Sequence, residues 1–129
     1  MNLANLKILI ADDSKSLLMI LDHHLREMGA TDIVQVEDGE SALFELKEPG
    51  DKSFDLVISD WVMPKMSGLD LLKKIRADFE FMHLPFLMIA GEDDPTAFHQ
   101  AKGIGPTDII LKPFNAVGLA KKLSGLLAS

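Results

Sequence analysis

Short apolar runs alternate with helical patterns along this chain. Five such runs occur: LKILIA (6–11), IVQV (33–36), FDLVIS (54–59), PFLMIA (85–90) and DIIL (108–111). The first, third and fourth are almost continuously apolar, which is typical of strands that are covered on both faces. The pattern therefore predicts parallel strands in the interior of a sheet.

Helices are predicted between these runs. Residues 14–28 carry apolar side chains at positions 17, 20, 21, 25 and 28, which form one helical face, and Gly29 follows as a stop signal. Shorter helices are predicted over 41–46 and 69–79, a further one from about residue 95, and a last one over 115–127 with Asn115 as its cap. Strand and helix alternate five times, which predicts an α/β fold with a doubly wound parallel sheet.

Size and charge narrow the class of protein. A chain of 129 residues with 47% apolar and 26% charged residues is ordinary for one globular domain, so we expect a single domain over 1–129. No segment has the roughly 18 to 20 uncharged apolar residues of a membrane helix, and the chain has no cysteine. We therefore expect a cytoplasmic protein without membrane insertion. The formal charge of −7 argues against binding to nucleic acid, which requires neutralisation of phosphates.

Charged side chains follow three of the predicted strands at the same edge of the sheet. Asp12 and Asp13 follow the first strand, Asp60 the third and Lys112 the fifth. In doubly wound sheets, ligands bind beyond the carboxyl ends of the strands. Three carboxylates would repel one another there, so a divalent cation is expected, and an all-oxygen donor set favours Mg²⁺. Asp60 is then either a third metal ligand or a nucleophile beside the metal that attacks phosphorus, with Lys112 as the cation.

The pattern alone also allows these residues to have structural roles instead of forming a functional site. An Asp after a strand is often a turn or cap residue, and Asp13 could cap the first helix. A lysine before a proline, such as Lys112, is usually a surface residue. The coincidence of all four groups at one sheet edge favours a site.

Several motifs resemble the receiver domain of response regulators, and within that family the single-domain chemotaxis type. They are ILIADDS, EDGESAL, DLVISDWVMPKMSGLDLLKKIR, LPFLMIAGE and IILKPF, which together cover nearly the whole chain. The resemblance implies a flavodoxin-like fold with five strands in the order 2-1-3-4-5 and five helices.

The resemblance also implies roles for individual residues. Asp60 would accept a phosphoryl group from a histidine kinase, a phosphotransfer protein or a small phosphodonor. Asp13 would bind Mg²⁺ directly, Asp12 would assist through water, and the backbone carbonyl of Val62 would be a further ligand. Lys112 would pair with the phosphoryl oxygens. Because the side chain of Val62 cannot orient a water molecule, we expect slow self-dephosphorylation at Asp60, and we do not expect a turnover enzyme.

Two positions depart from the family pattern. The phosphoryl-contacting positions after the fourth strand hold Ala90 and Gly91, whereas receivers normally have a Thr or Ser hydroxyl at the first of them. Three residues before Lys112, Ile109 replaces the usual Tyr or Phe, which swings inward during activation. We therefore expect a protein that can be phosphorylated but lacks the usual coupling between hydroxyl and aromatic ring. Losing one hydrogen bond to a charged group would cost about 1.5 to 3 kcal/mol.

Partners are expected on two surfaces. Leu18 and Met19 in the first predicted helix should point partly outward and form part of the docking surface for the phosphodonor. The output would be altered binding to a protein such as a flagellar motor switch component, and we expect a monomer. The main alternative is a phosphate sink or scaffold without output that depends on phosphorylation. A Mg²⁺-dependent phosphatase is disfavoured because no Asp stands two residues after Asp60, and a flavodoxin-type cofactor binder because Asp12 and Asp13 would repel a phosphate.

Overall fold

A five-stranded parallel sheet forms the centre of the molecule, in a computed structural model that describes residues 2–91 and 107–128. The strands are β1 (Lys7–Ala11), β2 (Asp32–Val36), β3 (Leu56–Asp60), β4 (Phe86–Gly91) and β5 (Thr107–Lys112). Their order in the sheet is β2-β1-β3-β4-β5. The parallel sheet predicted from the apolar runs, and the strand order implied by the resemblance, are confirmed.

Four helices pack against the sheet in the described residues, three of them between strands and the last after β5. They are α1 (Lys15–Glu27), α2 (Gly39–Lys47), α3 (Gly68–Ala77) and α4 (Ala116–Leu127). The helix predicted from about residue 95 lies outside the described residues. Asn115 caps α4 as predicted, since its side chain accepts a hydrogen bond from the Gly118 amide at 2.8 Å. Gly29 ends α1 with a φ of +100°, a conformation that glycine adopts without strain.

Apolar side chains cover both faces of the sheet. Alternate residues of β1 point to opposite faces: Ile8 and Ile10 pack with α1 and α4, and Leu9 and Ala11 pack with α2 and α3. All five residues of β3 are buried, as are five of the six residues of β4. The continuous apolar runs thus correspond to strands covered on both faces, as predicted.

The prediction of the buried face of α1 is wrong: the face that packs on the sheet is rotated by part of a turn from the predicted one. Leu18 is 3% exposed and packs in the core with Leu21 and Leu25, so it does not point outward as predicted. Ile20, which was predicted to be on the buried face, is 47% exposed, and Met19 is 70% exposed. The segment contains five consecutive apolar residues, so several stripes are compatible with it, and only contact with the sheet selects one.

The register of the strands brings the carboxyl ends of β1, β3 and β5 to one edge. Ala11 pairs with Ser59, so that Asp12 and Asp60 emerge next to each other, and Gly91 at the end of β4 pairs with Lys112. Among the described residues, no helix has the length and hydrophobicity needed to cross a membrane.

Candidate functional site

The three predicted carboxylates form one cluster at this edge of the sheet. Asp12, Asp13 and Asp60 each offer a carboxylate oxygen, and these oxygens lie within 4.8 Å of one another. Asp12 is fully buried, Asp60 is 7% exposed and Asp13 is exposed. Asp13 does not cap α1, because Ser14 does so by accepting a hydrogen bond from the Leu17 amide. The local geometry therefore excludes the simpler interpretation of Asp13.

Two positive or hydrogen-bonding groups meet the same oxygen of Asp60. The Lys112 Nζ lies 3.3 Å from Oδ1, and the backbone amide of Trp61 donates to that oxygen at 2.9 Å. Lys112 is thus directed into the site and is not a free surface lysine. The cation predicted from the end of the fifth strand and the carboxylate from the end of the third strand form an ion pair across β4.

Burial makes the negative charge in this cluster costly. Burial is the largest effect on Asp12 and raises its pKa to about 6, even though the Ser14 amide donates a hydrogen bond to it at 2.8 Å. The Asp60 charge raises the pKa of Asp12 further. Burial also raises the pKa of Asp60, against the opposing effect of Lys112. Lys112 therefore compensates only part of the electrostatic cost of the cluster.

The donor set fits a hard divalent cation. Asp12 Oδ1 accepts from Ser14, but Asp12 Oδ2 is buried and has no hydrogen-bond partner within the described part of the chain. A buried, unpartnered carboxylate oxygen beside two further carboxylates is what a bound cation would satisfy. Oxygen ligands alone favour Mg²⁺ over zinc. Asp12, Asp13 and Asp60 could hold such an ion, and the backbone carbonyl of Val62 stays a predicted further ligand.

The loop after Asp60 closes tightly on itself. The Gly68 amide donates to the Trp61 carbonyl at 2.8 Å, and a Cβ on Gly68 would lie 2.0 Å from the Asp60 carbonyl oxygen. Only glycine allows this approach of α3 to the end of β3. The Val62 side chain is exposed, whereas Met63 is buried beneath the loop. Asp60 and Gly68 both lie in the motif DLVISDWVMPKMSGLDLLKKIR. The close approach of their backbones, however, can be seen only in the folded structure.

Ala90 and Ile109, the two positions expected to depart from the family pattern, are part of the hydrophobic core. Ala90 is 1% exposed and Ile109 is 4% exposed, and both belong to the apolar layer on the α2 and α3 side of the sheet. Ile109 pairs with Met88 in the β4–β5 ladder. Ala90 supplies no hydroxyl at the site, and Ile109 already occupies an inward position.

An apolar cavity of about 270 Å³ lies beside Lys112, between α1 and the residues that follow β5. It is lined by Leu17, Ile20, Lys112, Pro113 and Phe114. The sequence pattern placed Leu17 and Ile20 on the buried face of α1, so it did not predict that they line this cavity. Of the two residues that it proposed instead, Leu18 is buried and Met19 is exposed outside this cavity.

Comparison with known proteins agrees with this geometry. The family model of the response regulator receiver domain matches residues 8–124 of this chain. Chemotaxis protein CheY-3 of Vibrio cholerae serotype O1 is 45% identical over 119 residues, which cover 92% of this chain and 89% of that protein. Chemotaxis protein CheY of Pseudomonas aeruginosa is 37% identical over 118 residues, which cover 92% of this chain and 93% of that protein.

A solved structure shows the same similarity in three dimensions. The chemotaxis response regulator CheY4 of Vibrio cholerae superposes with a TM-score of 0.81 at 33% sequence identity. The match covers 95% of this chain and 98% of that chain. The similarity thus extends over the sheet and the helices on both of its faces.

Proposed function

Because the chain belongs to the response regulator receiver family, we propose that it is a phosphoacceptor of two-component signal transduction in which Asp60 takes the phosphoryl group. The observation that carries this proposal is the cluster of Asp12, Asp13 and Asp60, whose oxygens lie within 4.8 Å of one another. Lys112 lies 3.3 Å from Asp60 and supplies the cation of the site. A carboxylate nucleophile, an acidic metal-binding pair and an ammonium group are the components that phosphoryl transfer requires.

Asp12 and Asp13 would hold Mg²⁺ together with Asp60. When bound, the ion neutralises charge that develops on the phosphoryl oxygens. The residues of the chain have distinct tasks around it. The Trp61 amide orients the Asp60 carboxylate, Lys112 places its ammonium group where the phosphoryl oxygens would lie, and Gly68 lets α3 approach the loop.

The transfer itself is a displacement at phosphorus. An Asp60 oxygen forms the new P–O bond while the P–N bond of a donor phosphohistidine breaks. The departing imidazole keeps the bonding electron pair and takes up a proton, and Asp60 becomes an acyl phosphate. Val62, two residues later, has an apolar side chain that cannot orient a water molecule for hydrolysis, so the acyl phosphate should be long-lived.

The phosphodonor would dock on the apolar cavity beside Lys112. Leu17, Ile20, Pro113 and Phe114 line it, and Ile20 is 47% exposed in the free protein. A helix of a histidine kinase or phosphotransfer protein could cover these side chains and bring its histidine to the sheet edge. Ile20→Glu should slow transfer from such a donor and leave labelling by a small phosphodonor unchanged. Met19→Glu, on the neighbouring exposed residue, tests whether Met19 also belongs to this surface, as the sequence predicted.

Two roles for the phosphorylated protein remain in competition. In the first, phosphorylation changes the affinity for a downstream protein, and the chemotaxis relatives favour a motor-type partner in the cytoplasm and a monomeric receiver. In the second, the protein is a phosphate sink or scaffold. Ala90 and Ile109 favour the second role, since a site without a hydroxyl and with a buried aliphatic side chain lacks the usual coupling.

Labelling with phosphoramidate, a small phosphodonor, tests the proposed chemistry. Intact-protein mass should increase by one phosphoryl group in the presence of Mg²⁺ and remain unchanged with EDTA. Asp60→Asn should abolish the increase. Asp108→Asn is the matched control, because Asp108 is paired with Lys122 at 3.3 Å on the opposite end of β5. Equal labelling of wild type and Asp60→Asn would refute the proposal.

A further inference from the structure

The loop that carries Asp60 touches the first turn of α2 through backbone atoms. A Cβ built on Gly39 would lie 2.3 Å from the Met66 carbonyl oxygen and 2.7 Å from the Met66 Cβ. Gly39 is buried and is the first residue of α2. Only the absence of a side chain permits this contact, so displacement of Met66 toward α2 would push directly on the helix.

Hydrogen bonds hold the loop from Asp60 to Gly68 as a unit. The Met66 amide donates to the Pro64 carbonyl at 2.7 Å, and the Gly68 amide donates to the Trp61 carbonyl at 2.8 Å. The loop therefore has little freedom to absorb a movement of its first residues internally. A shift at Asp60 should reach Met66 and, through it, Gly39.

A second connection joins the acidic cluster to the same helix. The Asp12 amide donates to the Val36 carbonyl at 3.1 Å, at the end of β2. Two residues later Asp38 caps α2 by accepting from the Ser41 amide at 2.7 Å and from the Ser41 hydroxyl at 3.0 Å. The first turn of α2 is thus linked to the Asp12 side of the site through β2 and to the Asp60 side through Met66.

We propose that Gly39 is a positioning residue that couples the acidic site to α2, so that occupation of the site displaces the first turn of this helix. The inference rests on the proposed function, because phosphorylation of Asp60 supplies the event that is transmitted. It assigns the output to a different element from β4 and β5, where Ala90 and Ile109 lack the groups of the usual relay. Phe44, which is 65% exposed on α2, would be carried with the helix.

Amide NMR of the wild-type protein tests the coupling. Fluoroberyllate with Mg²⁺ mimics the phosphorylated site. We expect chemical-shift changes for residues 60–68 and also for Phe44–Lys47, which lie one to two turns beyond the contact and so beyond the direct influence of the ion. Residues of α4 should show no comparable change.

Gly39→Ala tests the contact in the opposite direction. The added methyl group should displace Met66 and with it the Asp60 loop, and the Mg²⁺ affinity should fall by about tenfold, as for other substitutions behind metal ligands. Titration is followed by fluorescence of Trp61, the single tryptophan, which is adjacent to Asp60. Gly125→Ala in α4 is the matched control, since a Cβ there meets no atom within 4 Å. The control should bind Mg²⁺ like the wild type.

The outcomes separate this inference from the proposed function. Shifts at 60–68 without shifts at Phe44–Lys47 would overturn the coupling, leave Asp60 as the phosphoacceptor and support the sink. The absence of any change at 60–68 would overturn both. If Gly39→Ala does not fold, the wild-type spectra alone decide. Unchanged Mg²⁺ affinity in a folded Gly39→Ala variant would also overturn the role of Gly39.

Discussion

At the scale of single residues, the site is built from groups that disfavour folding when considered alone. Asp12 is fully buried with one unpartnered oxygen, and Asp60 shares its surroundings with two further carboxylates. Burying a charge is costly unless it is paired. A protein selected for stability alone would not keep such a cluster, so its presence is the strongest sign of function in the chain.

The raised pKa of Asp12 predicts a pH dependence of stability. Its pKa of about 6 in the folded protein exceeds the ordinary value of 3.8, so folding favours the protonated form. The free energy of unfolding of the metal-free protein should therefore fall by on the order of 3 kcal/mol from this group as pH rises from about 4 to 6, and then level off. Asp12→Asn should remove this part of the pH dependence. Urea unfolding at several pH values measures it, and identical pH profiles for the two proteins would contradict it.

Lys65 predicts a stabilising substitution. Its φ is +68°, in the left-handed region that a lysine adopts only at a cost. Lys65→Gly should increase the free energy of unfolding by about 0.5 to 1 kcal/mol, because glycine has no Cβ to strain. Lys65→Ala is the control, since it removes the same charge but keeps the Cβ. A gain in the alanine variant equal to that in the glycine variant would assign the effect to charge.

At the scale of elements, β4 and β5 carry the two residues at which we expect a departure from the family pattern. Ala90 and Ile109 are both buried in the apolar layer facing α2 and α3. Their packing places both side chains in the hydrophobic core. The first turn of α2 contacts the loop after Asp60, through Gly39 and Met66.

The buried position of Ile109 predicts a large effect of truncation. Ile109→Ala should cost about 2 to 5 kcal/mol through lost burial and the cavity that remains. Ile20→Ala makes the same chemical change at a position that is 47% exposed and should cost about 1 kcal/mol or less. Thermal or urea unfolding of both variants checks the contrast. Equal costs would show that Ile109 is not a core residue in solution.

The faces of the elements were less predictable than the elements themselves. The strands followed from continuous apolar runs, and Asn115 and Gly29 were correct end signals, because these features are local. The orientation of α1 was not local. Leu18 and Ile20 are chemically equivalent in the pattern, and only packing against the sheet buries the first and exposes the second.

At the scale of the molecule, the fold assembles a site from residues up to 100 positions apart. The site residues Asp12, Asp13, Asp60 and Lys112 could be predicted from the sequence, because charged side chains that directly follow apolar runs are visible in the pattern. The contact between Gly39 and Met66 could not be predicted from the sequence, since it depends on how closely two backbone segments approach each other. The cavity beside Lys112 was likewise hidden, because it needs α1 and the residues after β5 in their final positions.

Metal binding should stabilise the whole molecule. An ion that binds the acidic cluster of the native state but not the unfolded chain raises the free energy of unfolding by about 2.7 kcal/mol at a concentration one hundred times its Kd. Mg²⁺ should therefore raise the Tm at pH 7 and should raise it less at pH 5, where Asp12 takes up a proton that competes with the ion. Asp13→Asn should reduce the effect. A Tm that is insensitive to Mg²⁺ would contradict the assignment of these carboxylates as ligands.

The most direct measurement identifies the residue that carries the phosphoryl group. The protein is treated with phosphoramidate and Mg²⁺ and then with borohydride, which reduces an aspartyl phosphate to homoserine, and its peptides are sequenced by mass spectrometry. We predict homoserine at position 60, with Asp12 and Asp13 unmodified. Modification at Asp12 or Asp13, or a phosphoryl group retained on a histidine or serine, would contradict the assignment of Asp60 as the phosphoacceptor.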